Sequence, residues 1–137
     1  MAPKYFNHIW DVRDDYIRLI LEPTDEIKYL FFKQHASKIL SSDEVVQALK
    51  LLEMQKFAML MFTSCGWFFT EISGIETVQI IQYAARAVQI AEELTGKALE
   101  EEFLKHLAKA KSNVPAFQNG RGVYERLIKP VVVSFHQ

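Results

Sequence analysis

The stretch of residues 64–76 carries the residue types best suited to binding chemistry. It places three consecutive aromatic residues, 67–69, beside Cys65 and Glu71, within a sequence that also holds Gly66 and Gly74. Connecting segments usually face solvent and carry function, so an aromatic one is either a buried hydrophobic plug or the wall of a binding groove. Composition alone favours the plug. If the segment is a wall, Trp67 is the best recognition residue, because its flat face stacks on a sugar ring and its indole N–H needs a partner.

Two side chains of this stretch have both a chemical and a structural interpretation. Glu71 would serve as a carboxylate supporting a site, but a surface glutamate near a helix N-terminus is the commoner explanation. Cys65 would be a nucleophile only with a base beside it. The four histidines lie on other segments and lack metal-ligand spacing, so we expect a small buried thiol, no metal and no cofactor.

Further candidates flank this stretch along the chain. Arg86 belongs to a polar stripe on the fourth predicted helix, and Tyr83 lies at its margin. The stripe, which consists of Gln79, Gln82, Arg86, Gln89 and Glu93, would suit sugar hydroxyls, although a solvated helix face is the simpler interpretation. Glu53 shares a helix face with Ser64 and Lys56, which would bring a carboxylate and an ammonium towards the aromatic residues. A surface ion pair between Glu53 and Lys56 explains the same spacing more simply.

The composition excludes several classes of protein. The 137 residues are 50% hydrophobic and 24% charged, with a formal net charge of −1, as in a single globular domain. Because basic and acidic residues are interspersed, we expect no nucleic-acid partner. The apolar run 57–62 is far shorter than the roughly 20 residues that span a bilayer, and the first residues lack the apolar block of a signal peptide. We therefore expect no membrane association and a cytoplasmic location.

The apolar spacing predicts an all-α fold, a single helical bundle domain of five or six helices over residues 1–137. Start and stop signals place six helices along the chain. The first spans 6–22 and stops at Pro23, the second begins at a Thr24 or Asp25 cap, and the third begins at a Ser41–Glu44 capping box. The fourth runs from a Ser73–Glu76 capping box to Gly96, the fifth spans 97–111, and the last follows a turn at 119–122 and is kinked or broken at Pro130. The third should be central, since residues 57–62 are apolar on all sides.

Helical spacing also predicts which side chains are buried. The predicted core positions on the first, second, fourth and fifth helices are Ile9, Val12, Tyr16, Leu19, Ile20, Ile27, Leu30, Phe31, Ile39, Val78, Ile81, Ala85, Val88, Ala91, Leu99, Phe103, Leu107 and Ala110.

Six segments together resemble the C-terminal domain of unknown function in bacterial proteins whose N-terminal part is similar to the family 57 glycoside hydrolases. They are LLEMQ at 51–55, FTSCGWFF at 62–69, ISGIE at 72–76, QYAARA at 82–87, AKSNVP at 110–115 and NGRGVYE at 119–125. The resemblance covers residues 10 to 135. The family commonly has an acidic residue where this chain has Thr70, which counts against a role for paired carboxylates at 70 and 71.

A second resemblance concerns the aromatic stretch alone. The order of Ser64, Trp67 and Phe69, followed by Tyr83 and Arg86, is similar to the helical domain of family 57 branching enzymes. In that family a Ser-x-x-Trp-x-Phe motif lies beside the α-glucan cleft, so the resemblance implies that Trp67 faces substrate. The family's catalytic Glu and Asp belong to its barrel domain, and no segment here matches the motifs that carry them. The resemblance thus implies a chain that is catalytically incomplete.

Three functional hypotheses follow. The leading one is a helical accessory domain of a glycoside hydrolase-like, α-glucan-active protein, which packs on the N-terminal catalytic barrel of the same parent chain and contributes Trp67 and Glu71 to the glycan site. The alternative is a structural domain whose aromatic stretch is buried against that barrel. A third, an independent enzyme, would need a histidine within hydrogen-bond reach of Cys65. Whether the parent chain hydrolyses or transfers glucan stays open.

The apolar last residues suggest a piece of a longer protein. A domain that docks on a barrel presents apolar surface to it. We therefore expect an exposed apolar patch that includes Trp67 or Phe68, and weak self-association of the chain through that patch or through the segment around Val131, Val133 and Phe135.

Overall fold

Helices form the regular structure of residues 1–132, which are the residues described by the computed structural model. The α-helices are α1 (Ile9–Asp15), α2 (Ile17–Leu21), α3 (Asp25–His35), α4 (Ser42–Leu60), α5 (Ile75–Thr95), α6 (Glu100–Leu107) and α7 (Gly120–Val123). Short 3-10 helices span Ala2–Lys4, Ser64–Trp67 and Lys129–Val131, and a π-helix spans Tyr124–Ile128. The prediction of an all-α fold is confirmed.

The chain divides into two compact units, an N-terminal unit (Met1–Leu52) and a C-terminal unit (Glu53–Gln137). The boundary falls inside α4, so the first part of that helix belongs to one unit and its last part to the other. In the described part of the chain, none of the helices is both long and apolar enough to cross a membrane.

The N-terminal unit opens with two short helices where one had been predicted. At the junction between α1 and α2, the Leu19 N–H donates to the Tyr16 carbonyl at 3.0 Å, a three-residue spacing that tightens the turn. Helix α2 ends at Leu21, just before Pro23. Helix α3 then begins as predicted, with the Thr24 hydroxyl accepting from the Ile27 N–H at 3.2 Å. The predicted single helix at 6–22 is therefore wrong in its continuity, and the predicted start of the second helix is confirmed.

The core of the N-terminal unit is built around Phe31 and Val12, both fully buried. Several predicted core positions are wrong, among them Ile39, whose side chain is 98% exposed, and Leu30, which is 40% exposed. Ile39 lies beyond the end of α3 at His35, where helical periodicity no longer describes the chain.

The third predicted helix begins as expected and ends sooner. Ser41 and Glu44 form a reciprocal capping box: the Glu44 N–H donates to the Ser41 hydroxyl at 3.3 Å, and the Ser41 N–H donates to the Glu44 carboxylate at 3.1 Å. The expectation that residues 57–62 are enclosed on all sides is wrong, because Met59 and Phe62 are 56% and 69% exposed. Since α4 ends at Leu60, Phe62 already lies outside the helix.

The core of the C-terminal unit joins α5, α6 and the helical segment that follows Asn119. Its buried members are Ile81, Ala85, Leu104, Val123, Tyr124 and Ile128. Gly96 ends α5 in the left-handed conformation at φ 68°, as predicted. The predicted capping box at the start of α5 is wrong, because the N-cap is Gly74 and no side chain caps it.

The last two predicted elements also differ from the structure. The helix expected at 97–111 is shorter and spans Glu100–Leu107. The Glu92 carboxylate sets its start, because it accepts the backbone N–H groups of Leu99 and Glu100. The expected turn at 119–122 is the beginning of α7, where the Asn119 side chain accepts from the Gly122 N–H at 3.2 Å. Val133 and Phe135 lie outside the described residues.

Candidate functional site

The aromatic segment, residues 64–71, presents its rings to solvent. It begins as a 3-10 helix, Ser64–Trp67, after α4. The side chains of Trp67, Phe68 and Phe69 are 69%, 78% and 58% exposed. In this chain the segment is therefore not a buried plug, and the prediction that Trp67 or Phe68 belongs to exposed apolar surface is confirmed.

Gly66 anchors the start of the segment on α5. Its carbonyl accepts a hydrogen bond from the buried Thr77 hydroxyl at 2.9 Å. A Cβ at position 66 would lie 2.6 Å from the Ile80 Cδ1 atom, so the close approach of the two elements requires glycine here. Sequence reasoning missed Thr77, whose only signal is a hydroxyl residue among the apolar positions of a helix.

Cys65 is exposed, which contradicts the prediction of a buried thiol. The reason is local: Gly66 occupies the position of the 3-10 helix that faces α5, and Ser64 and Cys65 beside it remain exposed. Among the described residues, no hydrogen bond or ion pair joins Cys65 to a histidine, and His136 lies outside them. The third hypothesis therefore gains no support.

Glu71 anchors the end of the segment on the connection between α6 and α7. Its Oε1 atom accepts from the Ser112 hydroxyl at 2.6 Å and from the Ser73 N–H at 3.0 Å, and its Oε2 atom accepts from the Asn113 N–H at 2.6 Å. The side-chain amide of Asn113 also donates to the Thr70 carbonyl at 2.9 Å. The aromatic segment is thus held at both ends by hydrogen bonds to other elements.

These donors fix the charge of Glu71. The hydroxyl of Ser112 is the largest cause that lowers the pKa of Glu71 to about 2, and the backbone N–H groups of Ser73 and Asn113 act in the same direction. A carboxylate held ionised in this way is a poor proton donor, and its oxygens already accept three hydrogen bonds. Glu71 is a structural anchor, not the commonplace surface glutamate of the simpler interpretation.

Tyr83 and Arg86 lie elsewhere on α5, facing the end of α4. The rings of Tyr83 and Phe57 are 5.9 Å apart, and the Arg86 guanidinium is 3.5 Å from the Glu53 carboxylate. The Arg86 Nη1 atom also donates to Gln89 at 2.9 Å. The expected Glu53–Lys56 pair is wrong, because Glu53 meets Arg86 instead. The polar stripe is only partly solvated: Gln79 and Glu93 are exposed, and Gln82, Arg86 and Gln89 are half-buried.

The predicted site residues therefore form two groups. Ser64, Cys65, Gly66, Trp67 and Glu71 belong to the aromatic segment, whereas Tyr83 and Arg86 belong to the contact between α4 and α5. Glu76 lies in the first turn of α5, where the helix dipole stabilises a negative charge. In residues 1–132, no group of three or more His, Cys, Asp or Glu side chains is placed to hold a metal ion.

Comparison with known proteins identifies the family. No curated protein and no solved structure matches the chain. The family model described as a domain of unknown function (DUF3536) matches residues 1–137, which is the whole chain. The match agrees with the resemblance to a domain of unknown function seen in the six sequence segments. The chain therefore belongs to the DUF3536 family.

Proposed function

We propose that this chain is a helical accessory domain of a glycoside hydrolase-like, α-glucan-active protein, and that its aromatic segment contacts glucan. The observation that carries the proposal is an exposed Trp67, 69% accessible, on a backbone fixed at both ends. Carbohydrate stacking needs such an aromatic face, presented without the entropic cost of ordering a loop on binding. The family resemblance supplies the substrate class.

In this proposal the domain binds and does not catalyse. Trp67 stacks on a glucose ring, and its indole N–H donates to a sugar hydroxyl. Glu71 holds the segment in place through Ser112 and Asn113. The carboxylates that cleave or transfer the glycosidic bond belong to the catalytic barrel of the parent chain.

Tryptophan fluorescence tests the glucan contact directly, because the chain has only two tryptophans. In a Trp10→Phe background Trp67 is the sole reporter, and titration with maltoheptaose should change its emission. Trp67→Ala should weaken binding, measured by calorimetry, by about tenfold or more. Trp10→Ala is the matched control, since Trp10 is also 69% exposed but lies in the other unit. Equal loss in both variants, or no saturable binding, would contradict the proposal.

A second candidate function is a docking domain whose aromatic segment packs on the catalytic barrel. It is favoured by the exposure of Phe68 and Phe69, 78% and 58%, because phenylalanine rings have no polar group to offer a sugar. Phe68→Ser distinguishes the two functions. It should leave maltoheptaose binding intact if Trp67 alone contacts glucan, and it should loosen barrel association in the parent protein if the segment docks there.

A further inference from the structure

An open groove of about 740 Å³ runs along α3 in the N-terminal unit. One wall is a face of α3 and the other is formed by the residues that lead into α4. Phe32, Leu40 and Val45 supply apolar surface inside it, and Tyr29 lines it with a ring that is 64% exposed. The side chain of Ile39, also in the lining, is 98% exposed. An isoleucine this exposed beside an apolar groove is an uncovered contact surface.

The charged lining of the groove is mainly basic. Lys28, Lys33 and Lys38 line it against one acidic residue, Asp25, although the whole chain has a net charge of −1. Lys28 pairs with Asp25 at 3.2 Å and Lys38 with Glu44 at 2.7 Å, and the two lysine side chains are 39% and 52% exposed. The Asp25 side chain is fully exposed, and exposed pairs contribute little, so a carboxylate on a partner can replace it on Lys28 at small cost. The Lys38 ammonium has three N–H donors, so it can bind a partner's carboxylate while it stays paired with Glu44.

The ammonium groups are spread along the groove instead of converging. Lys28 and Lys33 are five residues apart on α3, which is about 7.5 Å along the helix axis, and Lys38 follows the end of that helix. The Lys33 ammonium lies over the Tyr29 ring, 5.9 Å from its centroid. A ligand with a single anionic head would meet only one of these charges, whereas an elongated partner with several carboxylates meets all three.

We propose that the α3 groove binds an acidic amphipathic peptide segment of a partner protein, with its apolar side chains against Phe32 and Leu40 and its carboxylates on Lys28, Lys33 and Lys38. The eleven residues of α3 span about 16 Å, the length of a three-turn helix laid along the groove. This interaction is separate from the glucan contact, since it uses the other unit of the chain.

A random twelve-residue peptide library displayed on phage tests the partner's chemistry. Clones selected on the immobilised chain are then screened against Lys33→Glu. Clones that lose binding should be enriched in Leu, Ile or Phe at three- and four-residue spacing, which forms one face of a helix, and in Asp and Glu beside that face. A synthetic peptide from these clones should bind at least tenfold more weakly to Lys28→Glu and to Ile39→Ala, and more weakly in high salt. Lys97→Glu, an exposed lysine of the C-terminal unit, is the matched control and should bind normally.

Several outcomes overturn the proposal. They are an absence of selected clones, a basic or uncharged consensus, and equal binding to Lys33→Glu and to the unchanged chain. Binding to vesicles of phosphatidylglycerol that Lys33→Glu abolishes would assign the groove to a lipid surface. Dimerisation of the peptide-free chain that Lys33→Glu abolishes would assign it to a second copy. Circular dichroism of each variant shows whether it is folded. Replacement should preserve the helices, because Lys33 and Ile39 are exposed and Lys28 is half-buried at the surface.

Discussion

Glu71 shows how a single side chain can have an unexpected role. Near a helix start, a glutamate is usually explained by the helix dipole, yet here its two oxygens accept hydrogen bonds from Ser73, Ser112 and Asn113. Two of those donors lie about forty residues further along the chain, and no local pattern connects them to Glu71. Trp67, by contrast, is a prediction from residue type alone, and the structure shows only that its side chain is exposed.

Glu71→Gln should make the stability of the chain less dependent on acid pH. The folded pKa of Glu71 is lowered from 4.5 to about 2, so its ionised form stabilises the fold above pH 4.5. That contribution is lost as the pH falls from 4.5 towards 2, because the unfolded state takes up the proton first. The glutamine variant should be less stable at neutral pH and should lose less on acidification. Urea unfolding at a series of pH values measures both.

Glu76→Gln is the control for that measurement, since Glu76 is close in sequence but outside the hydrogen-bond set of Glu71. It should preserve the acid dependence of the unchanged chain. If Glu71→Gln and the unchanged chain lose stability in parallel between pH 4.5 and pH 2, the anchoring role of the ionised carboxylate is wrong.

At the scale of the elements, most of the predicted caps and stops that act within one turn are confirmed, although the Ser73–Glu76 capping box is not, whereas boundaries that depend on tertiary contacts escape prediction. The Thr24 cap, the Ser41–Glu44 capping box and the Gly96 terminus all follow from neighbours in sequence. The start of α6 could not be predicted in this way, because the Glu92 carboxylate that caps it belongs to α5.

The segment 119–122 is the clearest case. Two glycines after an asparagine are typical of a turn, and the structure instead begins α7 there. The glycines are required by packing: a Cβ at Gly122 would overlap the Phe117 carbonyl oxygen, and one at Gly120 would crowd the Leu107 carbonyl. A sequence pattern cannot distinguish a glycine that permits a turn from one that permits a close approach.

Gly122→Ala should therefore destabilise the chain by about 3 kcal/mol or more, since backbone must shift to admit the methyl group. Gly96→Ala is the comparison. Gly96 has φ 68° but no atom within 4 Å of its Cβ position, so only the strain of a left-handed alanine, about 1 kcal/mol, is expected. Urea unfolding of both variants gives the order. A Gly122→Ala change no larger than that of Gly96→Ala would show that this helix start adapts without cost.

At the scale of the whole molecule, composition and apolar spacing were enough to predict an all-α chain. They gave less information about which apolar side chains are covered, because the period of a helix identifies a face without showing what packs on it. Ile80 and Ile90 are buried outside the predicted stripe of α5, while Leu30 and Ile39 are exposed. The division into two units, with its boundary inside α4, likewise follows from contacts and leaves no composition shift in the sequence.

The exposed rings of the aromatic segment have a consequence for the chain in solution. Trp67, Phe68 and Phe69 are uncovered side by side, and contact with a second copy removes them from water. Three rings form a patch much smaller than the roughly 1,200 to 2,000 Å² that stable complexes bury, so the association should be weak.

Sedimentation velocity over a range of chain concentrations should show reversible self-association, and the double variant Trp67→Ser, Phe68→Ser should raise the dissociation constant by about tenfold or more. Trp10→Ser removes an equally exposed tryptophan from the other unit and should leave the constant unchanged, because Trp10 is separate in sequence from these rings. A chain that stays monomeric at every concentration, or one whose association Trp10→Ser weakens as strongly, would contradict the assignment to the aromatic segment.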